Sequence, residues 1–207
     1  MPLIGDHAPE FHAMTTQGKI DFPADYKGSW VVLFSHPADF TPVCTTEFIA
    51  LSRMNETFES LNTKLIGLSI DSLHSHLGWI KSIEALNFNN EGKVKIPFPI
   101  IADISMNVAR KYGMLQTVAN TQTVRAVFII DPEGMIRTIL YYPMSTGRNI
   151  PEIIRILQSL QLNDKTHYST PANWQPGDAV VMGAPLTIEE AQERLESSDN
   201  TIEHLDW

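Results

Sequence analysis

This chain of 207 residues contains a single cysteine, Cys44. A single cysteine excludes a disulfide within the chain. It also argues against a thiol–disulfide oxidoreductase, since such proteins usually depend on a Cys-x-x-Cys pair. The simplest setting for such a chain is a reducing compartment, so we expect a cytoplasmic protein.

Basic charge and long apolar runs are scarce as well. Lys and Arg total 15 against 24 Asp and Glu, for a formal net charge of −9. Without a basic field to attract phosphates, nucleic-acid binding is not expected. No apolar run approaches the length of a membrane span, and the N-terminal residues lack the pattern of a secretory signal, so no membrane association is expected.

Motifs for metals and phosphate cofactors are also missing, so we expect neither kind of group. The chain has no His-Glu-x-x-His element and no glycine-rich phosphate loop. His74 and His76 lie two residues apart on a predicted helix, where they face different directions and make a poor metal pair. We interpret both histidines as having no special role.

Short apolar runs alternate with helical periodicity through most of the chain. Runs without polar alternation predict strands that are buried on both faces. These runs are Val31–Phe34, Leu65–Ile70, Pro99–Ala102 and Ala126–Ile130, and a further strand, Met135–Tyr142, follows the turn at Asp131–Gly134. Apolar stripes predict helices over residues 48–61, 73–83, 105–112 and 150–160. The alternation predicts an α/β sheet with helices on its faces.

The alternation of apolar runs and helical periodicity ends near Lys165. A loop-like stretch follows, and Thr187-Ile188-Glu189-Glu190 then fits the capping box of a short helix that ends near Ser197. We therefore predict a main domain over residues 1–165 and a C-terminal extension over 166–207. The extension is too small to hold a core alone, so it should pack on the main domain or on a partner chain.

Cys44 follows the first predicted central strand and precedes the helix striped by Phe48 and Leu51. Ligand sites in α/β sheets lie where strands end and helices begin. Pro42 suits the very start of a helix, which places Cys44 in the first turn. A lone cysteine is often only a small buried hydrophobe, so spacing alone leaves a catalytic and a structural interpretation open.

The free energy needed to lower the pKa of a cysteine exceeds what a helix N-terminus supplies, so a reactive Cys44 needs a nearby cation. Lowering the pKa of a cysteine from about 8.5 to about 6 takes roughly 3 kcal/mol. A helix N-terminus supplies about 0.3–1 kcal/mol and rarely about 2 kcal/mol. Arg125 is the candidate, because it opens an apolar strand in which an arginine needs a partner.

The segment from Phe34 to Glu47 resembles the active-site signature of the peroxiredoxins, with Pro37, Thr41 and Cys44 as the Pro-x-x-x-Thr-x-x-Cys core. Its wider form is similar to the subgroup called one-Cys peroxiredoxins. The resemblance covers most of the chain and includes Thr123-Val124-Arg125-Ala126-Val127-Phe128, Thr146-Gly147-Arg148-Asn149, Thr170-Pro171-Ala172-Asn173-Trp174 and Gly177-Asp178. It implies a thioredoxin-like fold, with a central mixed sheet flanked by helices and a small C-terminal extension.

The resemblance implies roles for the signature residues. Cys44 is the nucleophile that attacks the peroxide and becomes a sulfenic acid. The Thr41 hydroxyl orients the peroxide, although it could also cap the helix. Pro37 walls the pocket, although it could equally serve to end the strand.

Four further residues match the family's active site. Arg125 would stabilise the thiolate and the charge that develops on peroxide oxygen, with a surface salt bridge as the weaker alternative. Glu47 and Arg148 match a network that holds such arginines, although a pair on the helix surface is a serious alternative. His36 could tune the sulfur or make a purely structural hydrogen bond.

The implied activity is a thiol-dependent peroxidase that reduces hydrogen peroxide and organic hydroperoxides and serves antioxidant defence. Because the chain has no second cysteine, an external reductant must restore Cys44, either a small thiol or a thioredoxin-like protein. The tail resembles a family dimer arm, so a homodimer or a ring of dimers is expected. The alternative is a redox sensor or holdase-type chaperone that uses Cys44 as a switch.

Overall fold

The computed structural model describes residues 1–117, 120–197 and 201–202. It divides into two compact units, Met1–Ile150 and Pro151–Trp207. This division falls where a long helix begins, whereas the boundary predicted at residue 165 lies near the end of that helix. The predicted extension also includes residues 198–200 and 203–207, which lie outside the described residues.

A sheet built from apolar strands dominates the first unit. The strands of this unit are β1 (Phe11–Thr15), β2 (Gly18–Phe22), β3 (Trp30–Ser35), β4 (Thr63–Ser69), β5 (Ile100–Ala102), β6 (Leu115–Thr117), β7 (Asn120–Thr123), β8 (Arg125–Ile130) and β9 (Ile136–Tyr142), and β6 and β7 pair in a small sheet of their own. Its helices are α1 (Pro42–Arg53), α2 (Asn55–Ser60), α3 (Leu73–Ala85) and α4 (Asn107–Lys111), and short 3₁₀ helices cover Ala24–Tyr26 and Phe88–Asn90.

The strand order of the main sheet is β2-β1-β5-β4-β3-β8-β9, with seven strands in the described part of the chain. β3 runs parallel to β4 and antiparallel to β8, so the sheet is mixed. All residues of β3 and β8 are buried, as their unbroken apolar runs predict. The expected α/β sheet is therefore confirmed.

Two local features differ from the expected pattern. The stripe over residues 48–61 predicts one helix, but the structure breaks it at Met54 into α1 and α2. The stripe survives the break because Phe58 in α2 is still buried. The hairpin of β1 and β2 carries too little alternation to be predicted, yet Phe11 and Phe22 stack at 4.9 Å in the core.

The second unit contains α5 (Ile150–Thr166), β10 (Val180–Val181), α6 (Ile188–Ser197) and β11 (Thr201–Ile202). Trp174, Leu162 and Val180 form a small apolar cluster, and the Trp174 indole N–H donates to the Asp178 carbonyl at 3.1 Å. Thr187 caps α6 as predicted, because its hydroxyl oxygen accepts from the Glu190 N–H at 3.1 Å. Within the described residues, no helix combines the length and the hydropathy of a membrane span.

Candidate active site

Cys44 lies in the first turn of α1, as its place in the sequence predicts. β3 ends at Ser35, residues 36–41 form a loop, and α1 begins at Pro42. Thr41 is the N-cap residue, with extended backbone angles. At this helix start the Cys44 side chain is buried, and its exposed fraction is 0%. Pro37 is buried in the same loop, two residues beyond the end of β3.

Arg125 contacts the Cys44 sulfur directly. β8 pairs with β3 in a register that sets Val127 opposite Phe34, which brings the start of β8 to the end of β3. Arg125 Nη1 donates to Cys44 Sγ at 3.2 Å and to Glu47 Oε2 at 2.7 Å. Its Nε and Nη2 donate to the Met144 carbonyl at 3.0 and 2.9 Å. These bonds hold the guanidinium with an Nη1–H at its edge directed at the sulfur.

Glu47 joins Arg125 to a second arginine, and we call these two arginines and Glu47 the arginine–glutamate network. Arg148 Nε and Nη2 donate to the two Glu47 oxygens at 3.0 and 2.7 Å. The Arg148 Nη1 donates to the Ser35 and Ala126 carbonyls. The exposed fractions of Glu47, Arg125 and Arg148 are 3%, 3% and 7%, so the surface-pair alternatives for these residues are wrong.

The arginine–glutamate network contains more positive than negative charge. Two guanidiniums stay protonated and face one carboxylate, which leaves one buried positive charge without a counterion in the network. An uncompensated buried charge is costly. Ionisation of Cys44 supplies the missing negative charge 3.2 Å from Arg125 Nη1. The network is therefore neutral only when the sulfur is a thiolate.

The Thr41 side chain does not cap α1 but makes a hydrogen bond within the loop. Its hydroxyl donates to the Ala38 carbonyl at 2.9 Å, and no side-chain hydrogen bond caps α1. The hydroxyl hydrogen is thus committed, whereas the oxygen can still accept a hydrogen bond. The predicted alternative, that Thr41 caps the helix through its side chain, is wrong in this structure.

A second buried cluster lies beside the same loop, and we call it the aspartate–histidine network: His36, Asp39 and His76. His36 Nε2 lies 2.9 Å from Asp39 Oδ1, and His76 Nδ1 lies 2.8 Å from Asp39 Oδ2. The interpretation of His76 as a histidine without a special role is wrong, because α3 begins beside the loop and turns this residue into the interior. His74 is exposed, so the two histidines do face different directions.

Burial and hydrogen bonding move the pKa values in this second network. Burial lowers the pKa of His36, against the opposing effect of its hydrogen bond with Asp39. Burial alone would raise the pKa of Asp39, but the hydrogen bonds with His36 and His76 outweigh it and hold that pKa well below its usual range. At neutral pH Asp39 is therefore ionised and His36 is neutral.

These three side chains are also the group of described residues that could hold a metal ion, since their ligand atoms lie within 4.8 Å of one another. The imidazole–carboxylate distances of 2.8–3.0 Å are hydrogen-bond lengths. A metal would have to displace the ring hydrogens that make these bonds. The arrangement fits a hydrogen-bonded network better than a metal centre.

Comparison with known families matches nearly the whole chain. Residues 4–139 match the AhpC/TSA family, and residues 159–198 match the C-terminal domain of 1-Cys peroxiredoxin. A peroxiredoxin of Methanosarcina mazei is 58% identical, and the match covers 100% of this chain and 95% of that one. A peroxiredoxin of Hyperthermus butylicus is 51% identical, with 100% of this chain and 87% of that one covered.

Solved structures agree with this match. A cysteine-to-serine mutant of peroxiredoxin 6 from Arenicola marina superposes with a TM-score of 0.83 at 39% identity, covering 93% of this chain and 89% of that one. The yeast mitochondrial 1-Cys peroxiredoxin, whose thiol-resolving mechanism runs via glutathione/thioredoxin systems, superposes with a TM-score of 0.83 at 44% identity. The match covers 93% of this chain and 92% of that one.

These likenesses confirm the predicted thioredoxin-like fold and do not favour the sensor or holdase alternative. The lone cysteine, buried against an arginine at the start of α1, agrees with the same family. The chain belongs to the AhpC/TSA family of peroxiredoxins, resembles a 1-Cys member over 93% of its length, and is a thiol peroxidase.

Proposed function

We propose that Cys44 is the peroxide-reacting nucleophile and that Arg125 and Thr41 bind the substrate beside it. The observation that carries this proposal is the 3.2 Å contact between Arg125 Nη1 and Cys44 Sγ in a network that lacks one negative charge. The thiolate is the reactive form of cysteine, and this contact stabilises it. The substrates are hydrogen peroxide and organic hydroperoxides.

Arg125 and Thr41 offer complementary groups to a hydroperoxide. The bonds of Arg125 leave one Nη2–H without a partner among the described residues, and the Thr41 oxygen can accept. The O–H of the hydroperoxide donates to Thr41 Oγ1, while the leaving oxygen accepts from Arg125. The arginine therefore stabilises the negative charge as it develops on the leaving oxygen.

The chemical step forms a sulfur–oxygen bond as the oxygen–oxygen bond breaks. The Cys44 thiolate attacks the terminal oxygen, and the OH group stays on the sulfur as a sulfenic acid. The leaving oxygen takes the electron pair and then a proton from solvent, which yields water or an alcohol. Glu47 and Arg148 hold Arg125 in place, and the buried Pro37 shields the sulfur.

An external thiol completes the cycle, because Cys44 is the only cysteine. One thiol condenses with the sulfenic acid, releasing water and forming a mixed disulfide. A second thiol then frees Cys44 and leaves as a disulfide. Since the Cys44 sulfur is fully buried, the first turn of α1 must open before the reductant reaches it. This burial favours a small thiol over a thioredoxin-like protein.

The setting and the assembly of the enzyme are also proposals. The lone cysteine suits a reducing cytoplasm. The match of residues 159–198 to the C-terminal domain of 1-Cys peroxiredoxin supports an extension that contacts a second copy, in a homodimer or a ring of dimers. Light scattering measures this assembly directly.

The experiment that tests the role of Cys44 compares peroxide consumption by wild type and Cys44→Ser in excess dithiothreitol. We expect wild type to consume many equivalents of hydrogen peroxide and the variant to consume none above background, because no other thiol exists in the chain. The assignment fails if wild type stops at one equivalent or if the variant matches its rate.

A further inference from the structure

The loop of residues 36–41 determines where the Thr41 oxygen points. The Thr41 hydroxyl donates to Ala38 within the same loop, so its free lone pairs are oriented by the loop backbone. Phe40 adopts a left-handed conformation with φ of 55° although it is not a glycine, and its side chain is largely exposed. Such a conformation costs about 1–3 kcal/mol and persists only where neighbouring contacts enforce it.

Asp39 supplies those contacts. Its carboxylate accepts from Ser75 Oγ at 2.8 Å and is bonded to His36 and His76, and its backbone N–H donates to Asp71 Oδ2 at 3.0 Å. One residue thereby ties the loop to the first turns of α3 and to the segment that follows β4. Its side chain is almost completely buried, so these bonds do not compete with water.

Both histidines of the network make hydrogen bonds through their ring nitrogens. His76 Nε2 lies 3.1 Å from the Ile101 carbonyl oxygen and His76 Nδ1 lies 2.8 Å from Asp39 Oδ2, so the ring bridges two acceptors. His36 donates from Nε2, and its Nδ1 is buried without a partner in the described residues, so His36 carries only one ring N–H. The network therefore combines an ionised Asp39 with a neutral His36, and His76 lies between the carboxylate and the Ile101 carbonyl.

The network also reaches the turn that carries the cysteine. The His36 ring stacks on Trp79 with centroids 4.9 Å apart, and the Trp79 indole N–H donates to Thr45 Oγ1 at 3.2 Å. Thr45 in turn donates to the Thr41 carbonyl at 2.8 Å. The only hydrogen bond to the Cys44 sulfur from the described residues nevertheless comes from Arg125.

We propose that Asp39 and His76 are positioning residues of the peroxidase, which hold the 36–41 loop so that Thr41 meets the peroxide but do not supply the charge that ionises Cys44. The proposal rests on the roles proposed above for Cys44 and Thr41. It separates two properties that share one site, namely the reactivity of the thiolate and the placement of the substrate.

Asp39→Asn tests the proposal, because the amide keeps the shape of the side chain but replaces one acceptor with a donor. We expect the second-order rate of Cys44 oxidation by hydrogen peroxide to fall about tenfold to hundredfold. The pH profile of Cys44 alkylation by iodoacetamide should stay in place, since Arg125 and Glu47 are untouched. An unchanged peroxide rate, or a displaced alkylation profile, would overturn the proposal.

Ser72→Ala is the matched control. Ser72 caps α3 by accepting from the Ser75 N–H at 3.1 Å, so its removal disturbs the same end of the helix without touching the carboxylate. We expect its peroxide rate to stay within twofold of wild type. If Ser72→Ala slows oxidation as much as Asp39→Asn does, the integrity of α3 matters rather than the carboxylate, and the proposal fails.

A pair of substitutions at His76 keeps the proposal testable if Asp39→Asn does not fold. His76→Asn places an amide N–H near the position of Nδ1, whereas His76→Leu removes the donor. The proposal predicts that the asparagine variant retains more of the peroxide rate, and equal rates in the two variants would contradict it. Absence of turnover in wild type would instead remove the roles of Cys44 and Thr41, and this proposal with them.

Discussion

The arginine–glutamate network and the aspartate–histidine network are both buried beside the cysteine-bearing turn, but they differ in charge and in contact. The first donates a hydrogen bond to the sulfur and carries one excess positive charge until Cys44 ionises. The second contains one carboxylate and two histidines, and it makes no hydrogen bond to the sulfur in the described residues. We therefore expect substitutions in the first network to act on the charge beside Cys44, and substitutions in the second to act on the shape of the loop around it.

The difference follows from the chemistry of the cations. Arginine stays charged even when it is buried, so a pair of arginines imposes a fixed field on the sulfur. Histidine can lose its charge when burial requires it, as His36 does, so a cluster of histidines can be buried without leaving excess charge. Substitutions in the two networks should therefore separate effects on charge from effects on placement.

Glu47→Gln should give the largest loss of stability. Glu47 accepts from both arginines, and removing one partner of a buried ion pair costs about 3–5 kcal/mol. The same change removes a negative charge beside Cys44, so the pH profile of Cys44 alkylation should move to lower pH. Denaturant unfolding measures the first effect, and iodoacetamide alkylation measures the second.

Glu91→Gln provides the control for Glu47. Glu91 also pairs with an arginine, Arg53, but both side chains are partly exposed, so we expect a loss of no more than about 1 kcal/mol. If Glu47→Gln costs no more than Glu91→Gln, the buried network does not stabilise the fold as its geometry indicates.

Arg125→Ala should give the next effect, a loss in the rate of peroxide reduction. Loss of one preorganised donor to a developing charge typically reduces the rate by about 10²–10³-fold. Removing this cation should also move the alkylation profile to higher pH, opposite to Glu47→Gln, because the thiolate loses its partner. Stopped-flow oxidation and alkylation measure the two effects separately.

Arg125→Lys sharpens that measurement, because lysine keeps the charge but cannot bond both Met144 and Glu47 with one planar group. We expect its alkylation profile to lie near that of wild type while its peroxide rate remains low. Displacement of the Glu47→Gln and Arg125→Ala profiles in the same direction would contradict the assignment of charge control to this network.

The sequence predicts Cys44 and the arginine–glutamate network better than it predicts the aspartate–histidine network. Pro42 and the stripe of α1 locate Cys44 in the first turn, and an arginine that opens an apolar strand already indicates a buried partner. These signals are local, since they depend on residues a few positions apart. The resemblance to the peroxiredoxins then brings Glu47 and Arg148 into the same network, and the structure places them there.

His76 and Met144 could not be assigned in the same way. His76 lies 37 residues from Asp39 along the chain, and the two meet only because β3 and β4 are parallel neighbours. A signal was present, since His76 lies three residues after Leu73 and four before Ile80, on the apolar side of α3. Met144 contributes only its backbone carbonyl, which leaves no mark on the residue type.

His36→Gln tests the smallest effect, the cost of keeping a neutral histidine in the second network. Burial lowers the pKa of His36, and the charges of His76 and Arg148 act in the same direction against Asp39. Below about pH 6.5 an unfolded histidine binds a proton that the folded one does not. The free energy of unfolding therefore decreases as the pH is lowered, by up to about 1.4 kcal/mol per pH unit.

Glutamine can place an amide N–H near the position of Nε2 and does not titrate between pH 5.5 and 7.5, where Asp39 stays ionised because its pKa is well below its usual range. Between these two pH values, wild type should therefore lose more unfolding free energy than His36→Gln as the pH is lowered. The other histidines are common to both proteins and cancel in the difference. Equal losses would mean that His36 titrates alike in the folded and unfolded chains, which its burial without a partner for Nδ1 argues against.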